Sequence, residues 1–192
     1  FNITKEQVLR SQTLSEPIRL LDSYPVGDGA AAILITNKRL LAYTNSPYIE
    51  LLNVLQATGL PIYLRDDPLE LPASKLLFRK LSKEINIDLS RSVIEVHDSY
   101  TILGYLIIEE LGLASKGKAP KVINELNNIN LSGGLKARGH PIGATGVYQL
   151  AEVYKILTTG LGDIKYDACW GMVHSMSAID NNAIVAVVRR IE

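Results

Sequence analysis

The sequence contains a single cysteine among 192 residues, so an internal disulfide is excluded. A lone thiol suits a reducing compartment, and the first residues carry no signal-peptide pattern, from which we expect a cytoplasmic protein. The chain starts at Phe1 rather than at an initiator methionine, and we expect a processed or cut end there.

An excess of charge of either sign is also missing. The 20 Lys and Arg residues balance the 20 Asp and Glu residues, so the formal net charge is zero. Without a basic excess the chain has no general attraction for phosphate backbones, and we expect no nucleic-acid partner. A neutral chain also has little colloidal repulsion, which favours assembly with other chains.

Long apolar runs are absent as well. No stretch approaches the ~20 residues that cross a bilayer, so we expect no membrane span. What is present is the composition of a globular protein, with 47% hydrophobic and 21% charged residues. A chain of this length has room for one good core and an additional arm.

The hydrophobic pattern alternates between strands and helices, which predicts an α/β sheet with covered faces. The predicted strands are Ala30–Thr36 (buried on both faces), Ser92–Val96, Tyr166–Cys169 and Ala183–Val188. The predicted helices are a short one capped by Thr4, a short one around Ile49–Ala57, Ala73–Ile85, Thr101–Leu111 closed by Gly112, and residues 146–157.

The most informative segment runs from Asn130 to Gly146. It holds five glycines, one histidine and one proline within seventeen residues. Glycine permits positive φ angles and close approach of the backbone, and Pro141 has a fixed φ directly after His140. Apolar residues at helical spacing follow, so the segment predicts a rigid turn that presents His140 at or near the start of a helix. The alternative is a turn whose glycines only cap that helix.

This segment resembles, position by position, the signature Asn-x-x-Gly-Gly-x-x-Ala-x-Gly-His-Pro-x-Gly-Ala-x-Gly of the thiolases. Leu21–Ala31 resembles the segment by which thiolases leave their loop domain and add a last strand to their first core domain. The likeness runs from about residue 3 to the end of the chain and covers the second half of a thiolase.

Two shorter motifs carry the same resemblance. His97-Asp98-Ser99-Tyr100 is similar to the His-Asp-Cys-Phe variant of the sterol-carrier-protein-2 and archaeal thiolases. Cys169-Trp170-Gly171 has the form of the family's Cys-x-Gly motif, at a similar distance past the Gly-His-Pro turn.

The resemblance implies the C-terminal half of the αβαβα thiolase fold, a mixed sheet with helices on both faces. Residues 1–45 would form the end of the loop region and the last strand of the N-terminal core domain, and residues 46–192 the C-terminal core domain. An N-terminal thiolase half or subunit would supply the nucleophilic cysteine and most of the acyl-CoA-binding loop domain. The assembly implied is a hetero-oligomer built on a thiolase dimer.

The resemblance also implies catalytic roles. Thiolases join or cleave acyl groups by a Claisen condensation through an acyl-cysteine. His140 would activate that thiol and donate a hydrogen bond to the thioester oxygen. His97 would hold a water in an oxyanion hole, the N–H of Gly171 would serve a second hole, and Cys169 would be the acid and base of the condensation. The alternative to these catalytic roles, which applies if the motifs are disregarded, is that Cys169 is an inert core residue and that His97 is a structural histidine.

The remaining implied site residues are Tyr100 and Gly139, which would contact the substrate. Coenzyme A thioesters are the expected substrates, with no cofactor and no metal. His174 has no counterpart in the motifs and is expected to be structural or exposed.

The chain departs from the family pattern in two places. Ser99 stands where the sterol-carrier type often has cysteine. After Gly171, where thiolases continue in glycines, residues 172–182 are bulkier and longer, and we expect them to reshape or block the pocket.

Three functions follow from these observations. The first is an acyltransferase half that is completed by an N-terminal half. The second is a catalytically degenerate, thiolase-like scaffold or acyl-CoA-binding subunit. The third, a related ketoacyl or hydroxymethylglutaryl synthase, is disfavoured because those enzymes place their histidines in different motifs. The joint presence of His97, His140, Cys169 and Gly171 favours the first.

Overall fold

The computed structural model describes residues 3–191, with a four-stranded mixed sheet at its centre. A small hairpin of β1 (Thr13–Ser15) and β2 (Ile18–Arg19) precedes it. The strands of the main sheet are β3 (Ile49–Thr58), β4 (Ser92–Glu95), β5 (Trp170–Ser177) and β6 (Asn182–Arg190).

Their spatial order is β3–β6–β5–β4. β6 is antiparallel to both of its neighbours, whereas β4 and β5 are parallel. Parallel neighbours need a long crossover connection, and the chain between β4 and β5 supplies one that contains four helices.

Six α-helices have the bounds α1 (Lys5–Arg10), α2 (Pro72–Glu84), α3 (Thr101–Glu110), α4 (Ala119–Val122), α5 (Gly134–Arg138) and α6 (Thr145–Leu157) in residues 3–191. Short 3-10 turns lie at Leu20–Asp22, Lys38–Tyr43, Ile62–Leu64, Leu89–Arg91, Ile123–Glu125 and Ile142–Ala144. No helix in this described range is long and apolar enough to cross a membrane.

Hydrophobic cores cover both faces of the sheet. On β5, Met172 packs into the core formed with α2 and α3, and the next residue, Val173, packs into the core formed with α6. Val187 and Val188 of β6 divide between the two cores in the same way. Because successive strand residues point to opposite faces, a strand covered on both sides has to be apolar at consecutive positions. The predicted mixed α/β sheet with helices on both faces is confirmed.

Most local predictions are confirmed within one or two residues, namely α2, α3, α6, β4 and β6. Thr4 caps α1 in a reciprocal capping box, in which its hydroxyl accepts from the N–H of Gln7 and the Gln7 side chain accepts from the N–H of Thr4. Gly112 follows α3 with a φ of 83°. The boundary between residues 45 and 46 stays a prediction.

Two predictions of secondary structure are wrong for reasons of tertiary pairing. Ile49–Ala57, expected as a short helix, lies in β3, where it pairs with β6 from more than a hundred residues away. Such pairing overrides the local pattern. Tyr166–Cys169, expected as a strand, is irregular, and β5 begins only at Trp170, where pairing with β4 starts.

The predicted buried strand Ala30–Thr36 is not formed within residues 3–191, and its place in the sheet of an N-terminal core domain stays a prediction. No strand in the part of the chain that the structure describes includes or pairs with this segment. Leu34 is 94% exposed and Ile35 is 68% exposed. The run is apolar from Ala30 to Ile35, but residues 3–191 provide no strand that pairs with it and no element that covers it.

A buried carboxylate fixes the turn between β5 and β6. Ala178, Ile179 and Asp180 have φ angles of 47°, 54° and 70°, which are uncommon for residues with side chains. The carboxylate of Asp180 is fully buried and accepts from the N–H groups of Ala73, at 2.7 Å, and Ser74, at 3.0 Å. It therefore caps the N-terminal end of α2 from a distant part of the chain.

Removal of this cap should destabilise the fold. In Asp180→Ala two N–H groups in a buried site lose their acceptor, and we expect the free energy of unfolding to fall by about 3 kcal/mol in urea titrations. Asp88→Ala is the matched control, because Asp88 accepts from the N–H of Ser90 but is exposed, and its loss should be much smaller. Equal losses in the two variants would contradict the assignment.

Candidate active site

The candidate site lies at the carboxyl ends of the parallel strands β4 and β5. His97 follows β4 by two residues and is 4% exposed. The N–H of Met176, near the end of β5, donates a long hydrogen bond of 3.5 Å to its Nδ1 atom. Ligands of α/β sheets bind outside these strand ends. The parallel register therefore places His97 where such a site is expected.

The turn before His140 depends on glycine at two positions. Gly134 has a φ of 64°, and a Cβ atom there would lie 2.5 Å from the carboxylate of Asp98. Gly139 is buried with a φ of 94°, and its N–H donates to the carbonyl of Leu135. Only glycine combines these backbone angles with so close an approach. Gly139 thus shapes the backbone that carries His140.

The two histidine rings meet edge to face. The ring centroids of His97 and His140 are 4.9 Å apart with an interplanar angle of 89°. The Nδ1 atom of His140 lies 2.6 Å from the hydroxyl of Thr145, in the first turn of α6. This contact leaves Nε2 of His140 as the atom that can exchange a proton with a reactant.

An extended segment, Tyr24–Gly29, passes over the turn. The N–H of Tyr24 donates to the carbonyl of Ser99 at 2.8 Å, and the N–H of His140 donates to the carbonyl of Pro25 at 3.2 Å. The Tyr24 ring contacts two other rings of the site. Its centroid is 4.8 Å from that of His140 and 5.9 Å from that of Tyr100. The structure therefore brings Tyr100 to the site through Tyr24.

Both site histidines are poor proton acceptors from water. Burial, with smaller contributions from the charges of His174, His140 and Arg138, lowers the pKa of His97 to about 3. Burial and then the charge of Arg138 also lower the pKa of His140 below its ordinary value. At neutral pH both rings are uncharged, which is the form that can take a proton from a reactant.

The structure does not bring Cys169 to this site. Trp170 pairs with Ser92 at the start of β4, and Val173 pairs with Glu95 at its end. Cys169 therefore lies at the amino ends of the two parallel strands, whereas His97 lies at their carboxyl ends. The two residues are about 20 Å apart along the direction of β5. The expectation that it lies beside the two histidines is wrong, because the Cys-x-Gly motif enters β5 rather than leaving it.

The expected role of Gly171 in an oxyanion hole is also wrong, because the Cys-x-Gly motif enters β5. It is buried within β5, where it pairs with Val93 and Val188. A Cβ atom at this position would run into Val153 of α6 and into Val188. The role of Gly171 is therefore close packing of α6 on the sheet, and its N–H lies far from the histidines.

The bulkier segment after Gly171 forms β5 and its turn rather than a loop over the pocket. His174, within it, is fully buried, and its Nε2 atom lies 2.8 Å from the hydroxyl of Ser74. Of the two expectations for His174, the structural one agrees with this placement.

Sequence reasoning missed three residues that lie at the site. Thr145 contacts His140, and its place five residues later in the same motif was the available signal. Ser175 lies against the first turn of α6, 3.4 Å from the position of a Cβ on Gly146. Tyr24 comes from the Leu21–Ala31 segment. Neither Ser175 nor Tyr24 has a local signal, since both reach the site through long-range packing.

The described residues contain no group of three or more His, Cys, Asp or Glu side chains arranged to hold a metal ion. The chemistry available at the site is proton transfer and hydrogen bonding by two neutral imidazoles. The site belongs to a three-layer α/β domain that carries its reactive groups at the carboxyl edge of a parallel strand pair.

Comparison with known proteins gives the family. The family model described as "Thiolase C-terminal domain-like" matches residues 88–190. The chain belongs to this family of thiolase C-terminal domains.

Two archaeal relatives are named acetyl-CoA acetyltransferase. The one from Methanocaldococcus jannaschii is 37% identical over 168 residues, covering 80% of this chain and 43% of the relative. The one from Methanothermobacter thermautotrophicus is 32% identical over 200 residues, covering 98% of this chain and 52% of the relative. This chain therefore spans about half the length of these curated relatives.

Solved structures agree on the fold. The structure titled "Ltp2-ChsH2(DUF35) aldolase" superposes with a TM-score of 0.79 at 19% identity, over 98% of this chain and 51% of that chain. The Acat5 thiolase from Ascaris suum in complex with coenzyme A gives a TM-score of 0.60 at 18% identity, over 95% of this chain and 42% of that chain.

Acidification should reveal the buried neutral histidines. Burial lowers the pKa of His174 to about 3, as it does for His97. As pH falls below the unfolded value of about 6.5, the unfolded chain binds protons that the folded chain does not. Each such histidine should therefore lower the free energy of unfolding by about 1.4 kcal/mol per pH unit.

The measurement is urea unfolding between pH 7 and pH 5 for the wild type and His174→Gln. The slope of the free energy against pH should be less steep in the variant, by the contribution of one histidine. Comparing slopes removes any uniform change in stability that the substitution causes. Identical slopes would show that His174 titrates with the same pKa in the folded and the unfolded chain, and that burial does not lower it.

Proposed function

We propose that the chain is the C-terminal half of a thiolase-type acyltransferase that acts on coenzyme A thioesters. The observation that carries the proposal is the pair of neutral imidazoles, His97 and His140, with centroids 4.9 Å apart at the carboxyl edge of the sheet. Membership of the thiolase C-terminal domain family and the two acetyl-CoA acetyltransferase relatives support it.

In the proposed reaction the Nε2 atom of His140 takes the proton of a cysteine thiol that an N-terminal half supplies. The thiolate attacks the carbonyl of an acyl-CoA, and coenzyme A leaves with a proton returned by His140. A base then removes the α-proton of a second acetyl-CoA, and the α-carbon of the resulting enolate attacks the acyl-cysteine carbonyl and releases the thiolate. His97, buried and neutral, holds a water that donates to the enolate oxygen of the second acetyl-CoA.

Cys169 has no part in this reaction, because it lies at the opposite edge of the sheet. The acid and base that move the α-proton therefore have to come from His140 or from the N-terminal half. This assignment replaces the one that the Cys-x-Gly motif favoured.

The proposed partner is an N-terminal thiolase half. As a separate chain it would form a hetero-oligomer built on a thiolase dimer with this one, and as part of the same polypeptide it would complete each subunit of such a dimer. The exposed apolar run around Leu34 and Ile35 supports it, because such a surface on an isolated chain invites aggregation. Purification from the organism that makes the protein, with mass spectrometry of the bound material, tests this part. A pure 21.1 kDa monomer there would contradict it.

A second candidate is cleavage of a carbon–carbon bond of the aldol type. One observation favours it: within residues 3–191 the lone thiol lies away from the histidine pair, so this half adds no cysteine acid or base. In that reaction a base removes the hydroxyl proton of a 3-hydroxyacyl-CoA, the carbon–carbon bond breaks to give a carbonyl compound, and the acyl-CoA enolate takes up a proton. The aldolase among the structural neighbours shares the fold.

Dependence on free coenzyme A separates the two candidates. Thiolysis of a 3-oxoacyl-CoA consumes coenzyme A and passes through an acyl-cysteine, so labelled acetyl-CoA should transfer its label to protein. Aldol cleavage of a 3-hydroxyacyl-CoA needs no coenzyme A and leaves no label. Tight binding of acyl-CoA without either turnover would instead favour the degenerate scaffold or acyl-CoA-binding subunit.

Substitution of His140 should have the largest effect on the assembled enzyme. His140→Ala removes both the base for the thiol and a donor to the thioester oxygen, so we expect kcat/KM for acetoacetyl-CoA thiolysis to fall about a thousandfold. Cys169→Ser is the matched control and should leave the rate unchanged. A large loss in Cys169→Ser, or full activity in His140→Ala, would be evidence against this assignment of the site.

A further inference from the structure

We propose that Glu95 is a positioning residue, which holds the Asn130–Arg138 turn through Ser132 and so fixes His140 against His97. The inference deepens the proposed function, on which it rests only for the effect on turnover. Its structural part concerns the distance and orientation of the two histidine rings, which can be measured without a substrate.

The contact itself is bidentate. Glu95 is fully buried on β4, two residues before His97. One carboxylate oxygen accepts from the N–H of Ser132 at 3.0 Å, and the other accepts from the Ser132 hydroxyl at 2.7 Å. The same hydroxyl accepts from the N–H of Gly134 at 3.1 Å. A single side chain of β4 thus orients the N–H of Ser132 directly and the N–H of Gly134 through the Ser132 hydroxyl.

Stability alone does not account for a carboxylate at this position. Ile94 and Val96, on either side of Glu95, pack into the core with α2 and α3, so Glu95 points to the opposite face. On that face Val93 packs into the apolar core with α6, and a valine would fit the pattern. A buried carboxylate whose bonded partner is a neutral serine costs solvation without the gain of an ion pair. This cost points to a role in the turn.

Two further hydrogen bonds join the turn to the chain around His97. The side-chain oxygen of Asn130 accepts from the N–H of Val96 at 2.7 Å. The carboxylate of Asp98 accepts from the N–H of Leu135 at 2.8 Å. Together with the contact of Glu95, these bonds attach the turn to the chain both before and after His97.

Three charged side chains from neighbouring elements lie near Glu95. Glu152 of α6 lies close and is ion-paired with Arg138 of α5 at 2.8 Å, and Asp98 lies on the following turn. Burial raises the pKa of Glu95 to about 7, opposed by the hydrogen bonds from Ser132 and assisted by the charges of Glu152 and Asp98. Protonation near neutral pH would remove an acceptor from Ser132 and loosen the turn.

Nuclear magnetic resonance of the histidine Cε1–H groups tests this coupling in the full chain, within its assembly where one forms. The pKa values of His97 and His140 are lowered from 6.5, so their own titrations fall at lower pH. An inflection of the His140 signal near pH 7 would therefore report on a neighbouring group. We expect this inflection in the wild type and its loss in Glu95→Gln, with a shifted His140 signal at every pH.

Turnover provides a second measurement. Glu95→Gln should lower kcat of the assembled enzyme about tenfold to a hundredfold with little change in KM, because a misplaced base affects the chemical step more than binding. Glu109→Gln is the control, because Glu109 accepts from the N–H of Ala119 on the far side of α3 and should leave kcat and the His140 signal unchanged.

Two outcomes would overturn the inference. One is an unchanged His140 signal and kcat in a folded Glu95→Gln variant. The other is an inflection that survives in Glu95→Gln and disappears in Glu152→Gln, which would assign it to Glu152. If Glu95→Gln does not fold, the variant Ser132→Ala replaces it, because it removes one of the two contacts. Ser132→Ala should give the same shift of the His140 signal. An unshifted signal in Ser132→Ala would overturn the inference. Failure of the proposed function would appear separately, as absence of turnover in the wild type.

Discussion

The parallel pairing of β4 with β5 is the constraint on which the rest of the structure depends. It brings the carboxyl ends of both strands to one edge, where His97 leaves β4 and Met176 of β5 donates to it. It also sends the residues that enter β5 to the opposite edge, together with Cys169. The strand register, rather than the identity of the side chains, therefore decides which reactive groups meet.

The turn that carries His140 is attached to the same sheet. The N–H of Ile94 donates to the carbonyl of Asn128, and the N–H of Asn130 donates to the carbonyl of Ile94. These bonds extend the parallel pairing to the far side of β4. The chain segments that carry the two histidines are therefore both attached to β4. Backbone hydrogen bonds to this strand contribute to holding the two rings in place and to the distance between them.

The sequence predicts the elements that depend on nearby residues, but it does not predict those that depend on which strands pair. The helices at residues 72–84 and 145–157, the turn at His140 and the position of His97 after a strand all follow from nearby residues. The placement of Cys169 requires knowing where β5 starts and which strand it joins, and no local signal holds that information. Ala30–Thr36 has the composition of a buried strand, yet composition cannot supply the neighbouring strand that would bury it.

Gly171 has a consequence that reaches beyond its own position. Without a side chain it lets Val153 of α6 approach β5 closely, near the last turns of the helix. The first turn of the same helix carries Thr145, which holds His140. A helix of thirteen residues is a stiff rod about 20 Å long, so its height above the sheet at one end and its tilt at the other are linked. The absence of a side chain at Gly171 therefore affects, through the position of α6, how far His140 stands from the sheet at the other end of the helix.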